Sequence, residues 1–402
     1  MLTRCGEGGK TLPEGRVGTG RHRSGAAARD VFLLPSNGPL RAAAPAGPAG
    51  RPGPWTTEVV VRDWLVLRFG SLGDLCLLGW SLSALAETAG AGDRRVTLVT
   101  KAAFAPLASH FHGVDEVVSL DGRGLAPLAA LAGRLRGRQW HRVVDAHHVL
   151  RSHALLVMIG RRADARLTKD TAARLRLLAG GEAGAALTRT MVARFDDILL
   201  PQPAGPGPDT RGIDDRRPPL QSLAVGPSAA AGTRAPLALA PGARWATKRW
   251  PEHHWLALVE GLAAAGEKDL RIFLGPDERT WYPGSRLAAA AVAAGAVVIE
   301  GRDLVEVARE LARCRALATN DSGLLHVAEA TGTPVLAFFG PTVRAFGYFP
   351  RLPASRVLET AIECRPCSRN GKRPCHRGDL ACLVAIEPAT AVRALLSLGS
   401  RP

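Results

Sequence analysis

Leu67-Arg68-Phe69-Gly70-Ser71-Leu72-Gly73-Asp74 reads as a strand that runs into a glycine-bearing turn and then a helix. A carboxylate there has two uses. Asp74 can cap the helix, which stabilises by about 0.5–2 kcal/mol, or it can stand at a cleft as a general base, kept ionised by the positive end of the helix. The spacing fits neither the dinucleotide fingerprint, Gly-x-Gly-x-x-Gly, nor a Walker A loop, which needs Gly-Lys-Ser/Thr. A second group, Pro241-Gly242-Ala243-Arg244-Trp245-Ala246-Thr247-Lys248-Arg249-Trp250-Pro251, follows a short apolar run. Arg244, Lys248 and Arg249 concentrate positive charge where a diphosphate can sit, with Thr247 as a hydroxyl donor; the alternative is a solvated basic loop. The third group is Thr319-Asn320-Asp321-Ser322-Gly323-Leu324-Leu325-His326. It reads as a strand, a polar turn and a helix start whose first N–H groups lack internal partners and can hold phosphate. A carboxylate repels phosphate, so Asp321 suits a cap or sugar hydroxyls. Ser322 and His326 share a helical face, yet no Gly-x-Ser-x-Gly elbow accompanies them, which argues against a serine hydrolase.

Two further clusters carry polar chemistry. Asp145-Ala146-His147-His148-Val149-Leu150-Arg151-Ser152 ends another apolar strand. His147 and His148 are adjacent on a strand and point to opposite faces, which disfavours a shared metal; both also fit a capping or surface role. Cys364, Cys367, Cys375 and Cys382 are spaced x2, x7 and x6. Cys-x-x-Cys is a zinc half-site, but the second pair is wider than the usual knuckle, so a reduced, partly buried loop is the default and a structural zinc the alternative. No Asp-x-Asp triplet is present to chelate a diphosphate-bound cation.

These groups need elements to hold them. The 402 residues, 46% hydrophobic and 22% charged, suffice for two cores. Residues 1–57 lack periodicity and read as a disordered leader. Over 58–200, short apolar runs (Trp64–Phe69, Arg95–Thr100, Glu116–Leu120, Arg142–Ala146, Asp164–Leu167) alternate with helical runs such as Leu75–Ala89 and His148–Ile159, the pattern of a doubly wound lobe. Residues 201–236 carry eight prolines and read as a linker. Over 237–402 the alternation resumes: strands at Leu237–Ala240, Arg271–Leu274, Val297–Glu300, Ala316–Thr319 and Pro334–Phe339, helices near 252–264, 278–293, 303–314 and 323–331. Two α/β lobes place a cleft between the carboxyl ends of two sheets, where the motifs fall.

Lys and Arg number 52 against 36 Asp and Glu, a net charge of +16 that favours anionic partners. Nucleic acid is not expected, because the tryptophans lie in Pro-rich or helical contexts rather than on a stacking platform. No apolar run reaches the roughly 18–20 residues of a membrane span, and no secretory signal is evident, so a cytoplasmic protein is expected. The basic run Arg134-Leu135-Arg136-Gly137-Arg138 is either a solvated face or a peripheral contact with anionic membrane.

Taken together and in order, Gly70 to Asp74, Pro241 to Pro251, and Thr319 to His326 continuing through Gly332-Thr333-Pro334-Val335 and Phe339-Gly340-Pro341-Thr342 resemble glycosyltransferase family 9, the heptosyltransferases of lipopolysaccharide inner core, over residues 64 to about 395. The resemblance implies a GT-B fold of two Rossmann-like lobes, acceptor in the first and nucleotide sugar in the second. It implies inverting transfer without a metal or other cofactor, with ADP-heptose as the expected co-substrate and a lipid-linked glycan such as lipopolysaccharide core as acceptor, at the inner face of the cytoplasmic membrane. Carried over, Asp74 becomes the base. Lys248 neutralises the departing diphosphate, helped by Thr247, Arg244 and the helix start at Ser322 and Gly323, with His326 on the same helix. Asp321 meets donor-sugar hydroxyls and Glu278 the ribose. Ser71, Gly73, Asp145, His147 and Arg151 line the acceptor side; the family commonly has Gly at the position of His148, so the acceptor loop differs here. The rival readings are a sugar-nucleotide epimerase on the same fold and a non-catalytic nucleotide-sugar-binding protein.

Overall fold

In a computed structural model of the chain, described for residues 61–88, 91–182, 184, 187, 189–201, 216–224 and 235–398, every sheet strand is parallel. The expected leader at 1–57 and most of the linker lie outside the described residues. The first lobe runs β1 (Arg62–Leu67), α1 (Leu72–Ala86), β2 (Arg94–Lys101), α2 (Ala105–Ala108), β3 (Glu116–Leu120), α3 (Leu125–Leu135), β4 (Arg142–Asp145), α4 (Leu150–Met158), β5 (Ala165–Arg166), α5 (Thr171–Leu178) and α6 (Met191–Leu199). The second runs β6 (Leu237–Ala240), α7 (Glu252–Ala264), β7 (Leu270–Phe273), α8 (Arg286–Ala293), β8 (Val297–Ile299), α9 (Leu304–Ala312), β9 (Ala316–Asn320), α10 (Gly323–Thr331), β10 (Val335–Phe339), β11 (Arg356–Glu359), α11 (Ala381–Val384) and α12 (Pro388–Leu398).

The strand orders are β3-β2-β1-β4-β5 and β11-β10-β9-β6-β7-β8. Each order reverses once, between β1 and β4 and between β6 and β9. The loops leaving those strands diverge and open a crevice, so the polar motifs land at the two places where this architecture binds ligands. Strands β1, β6, β9 and β10 are almost wholly buried, as parallel strands covered on both faces must be.

The helix expected over 278–293 is broken. Only residues 278–280 form a single turn, and α8 starts at Arg286, capped by Ser285, whose hydroxyl accepts from the Ala288 amide at 3.0 Å. Pro283 lacks the N–H that a continuous helix would need there. The Pro-rich stretch also holds more structure than a linker. Leu220 and Leu223 are buried, the Leu220 amide donates to the Ala330 carbonyl at 2.7 Å, and the Pro219 carbonyl accepts from the His112 amide at 2.8 Å. That segment is a strut between the lobes.

Each sheet has one private face. Leu65, Val99 and Val143 pack with Leu128 and Leu155 in the first lobe, and Trp250, Trp255 and Phe338 with Leu258 and Leu395 in the second. The other two faces share one core, in which Leu75, Leu78 and Trp80 of α1 meet α6 and α10. Helix α1 is apolar nearly all round because it is enclosed by its own sheet, α6 and α10. Burying each such Leu stabilises by roughly 1.5–3 kcal/mol, so both lobes fall in one compact unit, residues 54–402. Among the described residues no helix is long and apolar enough to cross a membrane.

Candidate functional site

Asp74 sits in the first turn of α1, 15% exposed at its side chain. Its Oδ2 accepts from the Ser71 hydroxyl at 2.9 Å and the Ser71 amide at 3.4 Å, and pairs with Arg68 Nη2 at 2.7 Å. Burial alone would raise this carboxyl; the Arg68 charge and the Ser71 hydrogen bonds outweigh it and hold the group below the ordinary carboxylate range. Asp74 thus helps to close the helix start, as the capping reading expects, and it is a stable anion. Its Oδ1 accepts from the Tyr348 hydroxyl of the second lobe at 3.2 Å. Burial and the neighbouring Asp74 push that phenol up to about 12, so it remains a neutral donor. Arg68 is itself buried and donates to the Ala146 carbonyl at 2.6 Å, which ties the β1–α1 turn to the loop after β4.

Helix α10 approaches from the opposite lobe. A Cβ on Gly73 would lie 2.6 Å from His326 Cδ2, so only glycine lets α1 come this close. His326 is 5% exposed, and its Nδ1 has no hydrogen-bond partner among the described residues. Burial pushes this imidazole down to about 4 against the pull of Asp321 and Asp74, with Lys248 adding to the fall. The neutral ring therefore stands within the electrostatic reach of Asp74, Lys248 and Asp321. Leu72 covers Gly323 at the start of α10, while Ser322 precedes it in extended conformation.

The second-lobe half is knit by long-range contacts. Lys248 Nζ pairs with Asp321 Oδ2 at 2.6 Å, and the Thr342 hydroxyl donates to the same oxygen at 2.7 Å. Asn320, fully buried at the end of β9, donates to the Pro241 and Gly242 carbonyls at 2.8 and 3.1 Å and accepts from the Trp250 amide at 2.9 Å. One side chain thereby clamps the basic loop above the β6/β9 crevice. The Thr247 hydroxyl donates to the Gly371 carbonyl, so it serves the loop. Arg249 is likewise engaged, with the Ala243 carbonyl at 2.7 Å, and Arg244 is exposed and stacked on Trp245. Glu278 is buried, accepts from the Gly275 amide at 2.9 Å, and lies so close to Gly242 that a Cβ there would meet its Cδ at 2.2 Å. A carboxylate is thus seated against the loop that follows β6.

The loop after β4 completes the first-lobe side. Asp145 is fully buried; its carboxylate accepts from the His147 and His148 amides at 3.1 and 2.7 Å and from the Ser152 hydroxyl at 2.9 Å. It shapes the loop from within. His148 takes a positive φ of 51° and its Nδ1 is 2.8 Å from the Leu167 carbonyl. That is the left-handed region where glycine is easiest. His147 is partly buried, pushed down to about 4 by burial and by Arg68, and packs against Phe69; Arg151 stacks on the same ring. Arg68, Asn320 and Tyr348 escaped assignment from the sequence. The first two lie within motifs already singled out, whereas nothing local marks Tyr348.

The four cysteines of the 364–382 loop are unbonded. Burial and the neighbouring thiols push Cys382 up to about 11, and burial raises Cys367 as well. Among the described residues no three His, Cys, Asp or Glu side chains converge as metal ligands.

Residues 128–376 match the family described as glycosyltransferase family 9 (heptosyltransferase). Lipopolysaccharide heptosyltransferase 1 of Pseudomonas aeruginosa is 30% identical over 246 residues, covering 58% of this chain and 63% of that protein. Lipooligosaccharide heptosyltransferase 2 of Haemophilus influenzae is 32% identical over 134 residues, 33% of this chain and 38% of that protein. The chain thus spans less than two thirds of the length of these relatives. Among solved structures, ADP-heptose lipopolysaccharide heptosyltransferase II of E. coli superposes with a TM-score of 0.60 at 20% identity, over 84% of this chain and 98% of that one. A glycosyl transferase family 9 protein of Veillonella parvula gives 0.62 at 19%, over 85% and 98%. These likenesses make the fold GT-B.

Proposed function

The chain belongs to glycosyltransferase family 9, and from that membership and the site we propose that it transfers a heptose from ADP-heptose to a lipopolysaccharide core or similar lipid-linked glycan, with inversion and without a metal. The donor is suggested by the E. coli structure, named for ADP-heptose, and the acceptor by the curated relatives. The observation that carries the reading is the Asp74 anion of one lobe, bonded to Tyr348 of the other, together with the Lys248–Asp321 pair in the lobe whose His326 packs against Gly73.

In this reading the acceptor hydroxyl oxygen attacks the anomeric carbon from the face opposite the diphosphate. The bond from that carbon to the diphosphate oxygen breaks, and ADP leaves. Asp74 Oδ1, steadied by Tyr348, takes the hydroxyl proton as the attack makes it acidic. A sugar hydroxyl is a poor nucleophile, so a base is wanted; a nucleoside diphosphate is already a good leaving group, so fixed cations suffice. Lys248 has three donors and commits one to Asp321, leaving two for phosphate oxygens. The Ser322 and Gly323 amides at the start of α10 share that load. Asp321 also receives donor-sugar hydroxyls, and Glu278 the ribose. The work takes place at the inner face of the cytoplasmic membrane, where such an acceptor is embedded.

The test is incubation of purified protein with a panel of nucleotide sugars and truncated lipopolysaccharide cores, with products weighed by mass spectrometry. One added heptose, dependent on ADP-heptose and retained in EDTA, is expected. Donor conversion without acceptor would instead indicate an epimerase, and no turnover with any pair a binding protein.

A further inference from the structure

A groove of about 690 Å³ runs between α5 of the first lobe and the 364–376 loop of the second. Leu175 and Leu178 form one wall; Arg369, Lys372 and Arg373 line the other, and among the described residues no acidic side chain lines it. The loop pairs its flanking arginines, Arg365 with Glu359 at 2.7 Å and Arg377 with Asp379 at 3.0 Å. Arg369, Lys372 and Arg373, all exposed, have no carboxylate within ion-pair distance among the described residues. Three adjacent like charges left without counter-charges repel one another, and an anionic ligand would relieve that repulsion.

Both walls are tied to the site. The buried Ser368 hydroxyl accepts from the Gly371 amide at 2.9 Å and the Arg373 amide at 3.3 Å, and Gly371, at φ +86°, packs directly on the Lys248 methylenes. On the other wall Arg174 of α5 donates to the Phe346 carbonyl at 3.2 Å and stacks on Tyr348, the residue that donates to Asp74. Lys169, just before α5, is also exposed.

We propose that this groove is an acceptor subsite that holds an oxyanion, a sugar carboxylate or a phosphate, carried by the glycan away from the hydroxyl that reacts. The two arginines offer planar forks that suit either group, and the leucines cover the apolar side of the sugar. The inference rests on the transferase reading, so its test includes an arm independent of turnover. The triple variant Arg369→Gln, Lys372→Gln, Arg373→Gln changes exposed side chains only. With lipopolysaccharide truncated before its first heptose as acceptor, its acceptor KM is expected to rise at least 10-fold, while kcat and the KM for ADP-heptose stay within two-fold. Enzymatic dephosphorylation and carboxyl reduction of that acceptor identify which oxyanion is read, since only the matching treatment should cost the wild type what the triple variant has already lost. An unchanged acceptor KM, or a rise in the ADP-heptose KM instead, overturns the proposal. Should the wild type transfer nothing, the transferase reading fails, and equilibrium binding of the same truncated lipopolysaccharide decides the subsite: weaker binding by the variant supports it, equal binding overturns it.

Discussion

Asp74 is fixed mainly by near neighbours in sequence, Arg68 and Ser71, whereas Lys248 and Asp321 are brought together by the sheet and held by Asn320, Thr342 and the 368–371 turn. A base must keep one charge state and one orientation, and a helix start supplies both locally. A diphosphate site must collect donors from several strand ends, so it depends on the packing of a whole lobe. The two halves should therefore fail differently when damaged: the first in chemistry, the second in nucleotide binding.

The sharpest break is Asp74→Asn. Turnover should fall by about 10²–10⁴-fold, and the melting temperature should fall too because buried Arg68 loses its counter-charge, while ADP affinity stays near the wild-type value, as read by initial rates and calorimetry. Lys248→Ala should lower kcat/KM for the nucleotide sugar by roughly 10²-fold. It should also destabilise, because Asp321, 8% exposed, loses its counter-charge. Adding Asp321→Asn should restore stability but not activity, a split that urea titration against kinetics will show. Asn320→Ala removes the clamp on three backbone groups and should cost about 2–3 kcal/mol in urea unfolding, weakening ADP binding through the displaced 241–250 loop.

The last effect is one of pH and concerns the His326 ring. His326 titrates at about 4 when folded and near 6.5 when unfolded. Between those values the unfolded chain binds the proton and the folded one does not, so stability falls as pH drops from about 6.5 to about 4, by up to about 1.4 kcal/mol per pH unit. Above 6.5 this contribution is constant. His326→Gln should reduce that slope in urea midpoints measured across the window, leaving the part that His147, also at about 4, contributes; an unchanged slope would place the neutral ring elsewhere.

The same contrast explains what could be read from the sequence. Strands such as Glu116–Leu120 and Leu237–Ala240, and the turns that follow β1 and β9, show themselves in short apolar runs and adjacent polar residues. The capping of α1 by Asp74 is legible because the residues that make it, Ser71 and Asp74, are contiguous with the helix. The partnership with Tyr348, 274 residues away, has no local signal. The 216–224 strut was hidden because its prolines look like linker while its two leucines seat between lobes. β11 and α5 were missed because both are short and only partly buried, so their periodicity is weak. Pro283 and Gly284 did announce the break before α8; the apolar run around them masked it.

Titration of ADP into the Asp74→Asn and Lys248→Ala proteins, followed by turnover on the same samples, tests the division of labour most directly. Asp74→Asn should bind ADP as the wild type does and yet transfer almost nothing, while Lys248→Ala should bind it markedly less well. Wild-type turnover by Asp74→Asn, or an equal loss of ADP affinity in both, would contradict a site whose base and leaving-group cation come from opposite lobes.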